Sequence, residues 1–212
     1  IASTELENEY IREAADQIPI MLLNASYSHP NVYSTLCDDY ASMYEAASSM
    51  IQSGIPDILY LYNSRSYSGL KKLKGFEKAL ADNHIPESMR NILYYDKSAG
   101  GIEDITAFIQ EMTDGRPPFH GIIASDDVLA VGGIKYTQKT GLRIPEDISI
   151  IGYNNSMLTA CCTPSLTSVD NCLEALTHQL IHTLLQVLAG EQMPQKVVFS
   201  GKLIERDTTC FH

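Results

Sequence analysis

Two kinds of apolar pattern alternate along the chain. Short continuous runs at 20–23 (after Pro19), 57–62 (DILYLY), 91–95, 121–124, 148–153 (ISIIGY) and 196–199 predict buried strands. A strand covered on both faces has no polar side to alternate with, so its apolar residues run together. Between these runs lie segments with helical spacing. The segment 38–53 opens with acids and stops at Gly54 before Pro56, and 69–82 carries Leu70, Leu73, Phe76 and Leu80. The segment 103–112 is shorter, and 126–140 stops at Gly141. The last, 173–188, carries Leu173, Leu176, Leu180, Leu184 and Leu188 before Gly190. Acids at the start and glycine at the stop are what helix termini require. Strands alternating with helices imply βαβ units, hence an α/β fold with a mainly parallel sheet. No internal repeat or low-complexity tract breaks the pattern.

Composition narrows the chemistry. The chain has 212 residues, with 15 Lys+Arg against 26 Asp+Glu, a formal charge of −11, and is 44% apolar and 19% charged. That length buries one large core or two small ones. A surface this acidic repels phosphate, so the chain itself is a poor nucleic-acid binder. No apolar run has the length of a membrane span, and residues 1–9 lack the basic and apolar regions of a signal peptide. Five cysteines, Cys37, Cys161, Cys162, Cys172 and Cys210, form no regular framework, which points to a reducing, cytoplasmic setting rather than a stapled secreted domain. The adjacent pair Cys161 and Cys162 reads as two small half-buried loop residues, with a metal or a strained vicinal bridge as the alternative.

Catalytic constellations are weak. There is no P-loop, no GxGxxG and no nucleophile elbow. His178 and His182 are spaced i, i+4, but no acid completes an HExxH motif, so they read as polar-face residues and no metal is expected. Glu103 and Asp104 are adjacent and so face different ways on a helix. No cofactor and no enzymatic activity are expected.

In a parallel sheet, ligands bind beyond the carboxyl ends of the strands. That rule selects residues 24–26, 63–72, 96–98, 125–127 and 154–156. Ser125-Asp126-Asp127 opens a helix, where one aspartate caps. The other is either solvated or free to accept hydrogen bonds from a ligand. Lys71, Lys74 and Lys78 form a solvated stripe, but Lys72 lies off it, four residues before Phe76 and in the first turns of the helix, where the dipole disfavours a cation. It needs an anion, from Asp126 or a ligand, unless it snorkels past Phe76 to water. Arg65 and Ser68 in the preceding loop are second contacts. Asn24 and Asn154, with Asn155, either shape turns or bind a polar ligand.

The stretch GLRIPEDISIIGYNN at 141–155, followed by PSLTSV at 164–169, resembles the signature of the LacI/GalR family of bacterial transcription regulators, G-x-x-I/V-P-x-D-I/V-S-I/V-x-G-F/Y-D-D/N leading into P-x-L-T-T/S-V/I. Three further matches follow in order. They are SDDVLAVG at 125–132 against N-D-x-x-A-x-G, KLKGF at 72–76 against R-x-x-G-F, and LIERDTT at 203–209 against L-I/V-x-R-x-S/T-S/T. The resemblance covers nearly the whole chain. It implies a periplasmic-binding-protein-like fold of two Rossmann-like lobes joined by three crossovers. The N-terminal lobe takes residues 1–36 and 171–199, and the C-terminal lobe takes 37–170 and 200–212. It also implies a small polar, sugar-like effector in the cleft between lobes, a homodimer, and operator DNA as a partner only through a DNA-binding head.

That head is absent from this sequence, and Ile1 matches a position well inside the first lobe. The expectation is therefore a first lobe incomplete at its N-terminus, either reduced or completed by another chain, with exposed sheet edge. The cleft residues also depart from the family. Its aspartate after the first-lobe strand is Asn24 here, the arginine of R-x-x-G-F is Lys72, the asparagine of N-D is Asp126, and the aspartate after G-F/Y is Asn154. Arginine to lysine loses a bidentate fork, and aspartate to asparagine exchanges a charge for a donor. The ligand set implied is Asn24, Arg65, Ser68, Lys72, Asp126 and Asn154. An extracytoplasmic solute-binding protein of the same architecture is the alternative. An enzyme on a doubly wound sheet is a third reading, which would need a nucleophile, metal or cofactor motif.

Overall fold

A computed structural model describes residues 8–63, 65–96, 101–113 and 118–211. Lys97 and Ser98, which the strand-end rule selects, lie outside the described residues. In chain order the elements are α1 (Asn8–Ala15), β1 (Ile20–Leu23), β2 (Val32–Cys37), α2 (Asp39–Gln52), β3 (Ile58–Tyr62), α3 (Tyr67–Asp82), β4 (Arg90–Tyr94) and α4 (Ile102–Met112). They continue with β5 (Gly121–Ala124), α5 (Asp127–Lys139), β6 (Ser149–Tyr153), α6 (Leu158–Cys161), β7 (Thr167–Asp170), α7 (Leu173–Leu188), β8 (Lys196–Phe199) and β9 (Lys202–Ile204).

These elements form two sheets, one of three strands in the order β1-β2-β8 and one of six in the order β4-β3-β5-β6-β7-β9. Every pairing is parallel except β7 with β9. The expected α/β architecture with mainly parallel sheets is therefore present, the larger sheet ending in an antiparallel edge strand. The chain passes between the sheets after β2, after β7 and after β8.

The continuous apolar runs are explained by helices on both faces of the larger sheet. Leu59, Leu61, Ile122 and Ile150 point to one face, against Ile105 and Ile109 of α4 and Leu129 and Ile134 of α5. Their neighbours Ile58, Tyr60, Ile123 and Ile151 point to the other, against Met43, Ala46 and Met50 of α2 and Phe76 and Leu80 of α3. The alternation is the period of two that a strand imposes. Gly75 lets α2 and α3 approach closely, because a Cβ there would sit 2.3 Å from the Tyr40 carbonyl oxygen.

The apolar pattern misses β2, β7 and β9. In β2 (VYSTLC) and β7 (TSVD), hydroxyl residues such as Ser34, Thr35, Thr167 and Ser168 fill buried positions, so no apolar run announces either strand. β9 is only three residues long.

The smaller sheet has α1 on it through Ile11, Ala15, Leu22 and Val32, and α7 lies against β1 and β2. Among the described residues it has three strands. Ile181, Leu185 and Leu188 of α7 remain exposed.

Candidate functional site

The carboxyl ends of β3, β5 and β6 lie side by side in the larger sheet, which brings the starts of α3 and α5 and the turn after β6 together. Lys72, one turn into α3, is buried, with 8% of its surface exposed. It does not snorkel to water. Its Nζ donates to the Ser125 carbonyl at 3.1 Å and stands 3.9 Å from the centre of the Tyr153 ring. Burial pulls the lysine below its ordinary pKa, and the carboxylates of Asp39, Asp126 and Asp127 act in the opposite sense. Asp39 and Tyr153 are thus the partners that sequence reasoning missed. Tyr153 Oη donates to Asp39 Oδ1 at 2.7 Å. Asp39 follows the carboxyl end of β2, so the strand-end rule would have found it had β2 been legible.

Asp126 caps α5, with Oδ1 accepting the Leu129 N–H at 2.8 Å. Its Oδ2 accepts from Asn63 Nδ2 at 2.6 Å. Asp127 is not solvated, although it lines the same hollow as Asp126 and Asn154. It is 2% exposed, and accepts from Ser168 Oγ at 2.6 Å and from the Ser156 N–H at 2.7 Å. Burial raises its pKa, and these two donors partly offset that rise. Gly152 makes room for it, since a Cβ there would lie 2.4 Å from Asp127 Oδ1.

Asn154 and Asn155 both have positive φ, 102° and 49°, so they do shape the turn after β6. Asn154 is half-buried, and its Oδ1 accepts from Asn171 Nδ2 at 3.0 Å. Asn155 is taken up by Arg206, which donates to its Oδ1 at 2.7 Å. Asn24 also has a positive φ, 51°, and its Oδ1 accepts the Cys37 N–H at 2.9 Å. Cys37 in turn lies 3.9 Å from Tyr153 Oη. A chain of contacts therefore runs from Asn24 through Cys37 and Tyr153 to Lys72.

Asp126 and Asn154 share the wall of one hollow of about 350 Å³, with Val128 and Met157 on its apolar side. Lys72 and Asn24 do not line that hollow. Arg65 is exposed, its guanidinium 4.7 Å from the Tyr94 ring, so it stacks at the β4 side. Ser68 is half-buried in the first turn of α3.

None of the five cysteines is in a disulfide; Cys161 is exposed and Cys162 partly buried. Among the described residues no cluster of three or more His, Cys, Asp or Glu side chains is placed to hold a metal ion. No described helix is long and apolar enough to cross a membrane.

With this geometry in view, the chain can be set beside known proteins. The profile of the periplasmic binding protein-like domain matches residues 47–209. An HTH-type transcriptional regulator of Lachnoclostridium phytofermentans is 44% identical over 211 residues, covering 100% of this chain and 62% of that protein. The chain spans only 56–63% of the length of the curated relatives it matches. Among solved structures, a sugar-binding LacI-family transcriptional regulator of Escherichia coli complexed with phosphate superposes with a TM-score of 0.85 at 26% identity, covering 98% of this chain and 74% of that one. A LacI-family regulator of Enterococcus faecium with bound ribose has a TM-score of 0.87 at 23% identity, covering 100% and 79%, and supports the fold alone. With the profile spanning most of the chain, the protein belongs to the periplasmic binding protein-like domain family, in the form that serves as effector-binding domain in LacI-family transcriptional regulators.

Proposed function

We propose that this domain senses a small, neutral, polyhydroxylated effector, and that the effector controls operator binding by a longer, homodimeric, cytoplasmic regulator carrying a DNA-binding head. The lobes are taken as residues 1–36 with 171–199 and residues 37–170 with 200–212. The observation that carries the reading is Lys72, buried beside three carboxylates at adjacent strand ends. An ammonium has three donors. One goes to the Ser125 carbonyl and one faces the Tyr153 ring, which leaves one for a ligand oxygen. Lys72 does not line the hollow at Asp126 and Asn154, so the guest must extend beyond that hollow to reach it. Asp126 retains free lone pairs as an acceptor. Asn24 and Asn154 have their side-chain oxygens occupied, so each has an NH₂ to offer. The excess of carboxylate over ammonium favours a neutral polyol over a phosphorylated one.

Sugar binding by the E. coli relative and ribose in the E. faecium one are in keeping with such a guest. An effector acts only through differential affinity for two lobe arrangements, and a guest touching Asn24 beyond β1 as well as Lys72 and Asp126 on the larger sheet has that leverage. The test is a thermal-shift screen of neutral sugars, sugar phosphates, nucleosides and amino acids, followed by calorimetry. A neutral sugar that raises Tm in the parent and not in Lys72→Ala or Asp126→Ala supports the reading. Undiminished affinity in both variants refutes it.

A further inference from the structure

A second hollow, of about 230 Å³, opens at the seam between the two sheets and shares no lining residue with the one at Asp126 and Asn154. The smaller sheet contributes Leu36, Lys196 and Val198, while the helices of the larger sheet contribute Asp38, Asp39 and Lys71. The charges in its wall are of both signs and do not meet. Neither Lys71 nor Lys196 forms an ion pair with these aspartates or with any other described carboxylate. Lys71 instead lies 5.6 Å from the Tyr67 ring centre. Asp38 uses one oxygen to cap α2, through the Ala41 N–H at 3.1 Å. Asp39 uses one for Tyr153. Each acid keeps an oxygen with no partner of its own among the described residues.

We propose that this seam binds a small zwitterion of the α-amino-acid class with an apolar side chain. Its carboxylate would pair with Lys71 and Lys196, its ammonium with Asp38 and Asp39, and its side chain would lie on Leu36 and Val198. A simple anion would meet the two carboxylates, and a simple cation the two lysines. A guest carrying both charges pairs with all four groups of the wall. The volume is below the ~300–1,000 Å³ usual for larger organic ligands, so the guest is small. Because Lys196 is on β8 of the smaller sheet and Lys71 on α3, which packs on the larger one, such a guest bridges the two, and its affinity depends on how they sit.

Calorimetry with L-leucine tests this, against leucinamide, which lacks the carboxylate, and 4-methylpentanoate, which lacks the ammonium. L-Leucine should bind at millimolar concentration or below, and each single-charge analogue should bind weaker by roughly tenfold or more. The double variant Lys71→Gln/Lys196→Gln changes two exposed side chains, and Asp38→Asn keeps a good helix cap. Each should lose L-leucine affinity by a similar factor, with the urea midpoint unchanged. No heat from L-leucine, equal affinity for the analogues, or undiminished affinity in the variants overturns the proposal. The substituted residues Lys71, Lys196 and Asp38 lie outside the wall of the hollow at Asp126 and Asn154, so loss of L-leucine affinity in these variants is separable from sugar binding there, although Asp39 also acts on Lys72.

Discussion

Replacing Lys72 by methionine separates its role in folding from its role in binding. The substitution keeps the stem and removes the ammonium. It deletes one hydrogen bond from a charged donor to the Ser125 carbonyl, about 1.5–3 kcal/mol. It also deletes the contact with the Tyr153 ring at 3.9 Å, about 0.5–2 kcal/mol. On the other side stands the cost of burying the ammonium, several kcal/mol for a group taken out of water. The lowered pKa of Lys72 says that burial outweighs the attraction of Asp39 and Asp126. Replacing buried charge by apolar groups of similar volume is often neutral or stabilising, by about 1–4 kcal/mol. The two sides nearly cancel, so Lys72→Met should stay within about 2 kcal/mol of the parent, a Tm change under roughly 4–8 °C for a chain of this length. Urea unfolding at neutral pH measures it. The pH profile adds a signed check. Between the lowered native pKa of Lys72 and the ordinary lysine value of 10.5, the unfolded chain holds a proton that the folded chain has lost. Parent stability therefore rises with pH in that window relative to the variant. The buried phenols of Tyr60 and Tyr153, raised well above 10, take stability away at still higher pH in both proteins, so the difference removes most of their effect. A stability loss above about 4 kcal/mol, or a pH difference of the opposite sign, would refute this electrostatic account of Lys72.

Other perturbations probe the surroundings. Tyr153→Phe keeps the ring under Lys72 but strips the Asp39 carboxylate of a donor at 2.7 Å, and urea unfolding should show a loss of about 1.5–3 kcal/mol. Gly75→Ala places a methyl 2.3 Å from the Tyr40 carbonyl oxygen, forcing α2 and α3 apart. A loss of about 1–3 kcal/mol is expected, and an unchanged urea midpoint would show that the helix pair yields freely. Iodoacetamide at mildly alkaline pH should label the exposed Cys161 and Cys210 first. Cys37, whose thiol burial pushes up to about 11, should stay protected until the protein unfolds, as read by peptide mass spectrometry.

How much of this was legible in the sequence depended on what the chemistry of each position advertises. The strands β3, β5 and β6 stand out because helices cover both faces, so Ile58 to Leu61 and Ile150 to Ile151 must all be apolar. β2 and β7 do not, because buried serine and threonine serve the same faces while looking like loop residues. Missing β2 also hid Asp39 at its end, and with it the carboxylate nearest in importance to Lys72. Lys72 itself was visible as a cation out of place on its helix. Its cation–ring contact with Tyr153 depends on a pairing between strands far apart in sequence, which no local spacing reveals. The same holds for Asp127, whose partners Ser156 and Ser168 come from beyond β6 and from β7.

The central claim is that a polar guest sits where the strand ends of the two sheets face each other. Its most direct test is a crystal structure of the domain with the neutral sugar that gives the largest thermal shift. The account predicts ligand density within hydrogen-bonding distance of Lys72 Nζ, the Asp126 carboxylate and the Asn154 amide. Density that touches none of the three, in a crystal where the sugar is fully bound, contradicts it.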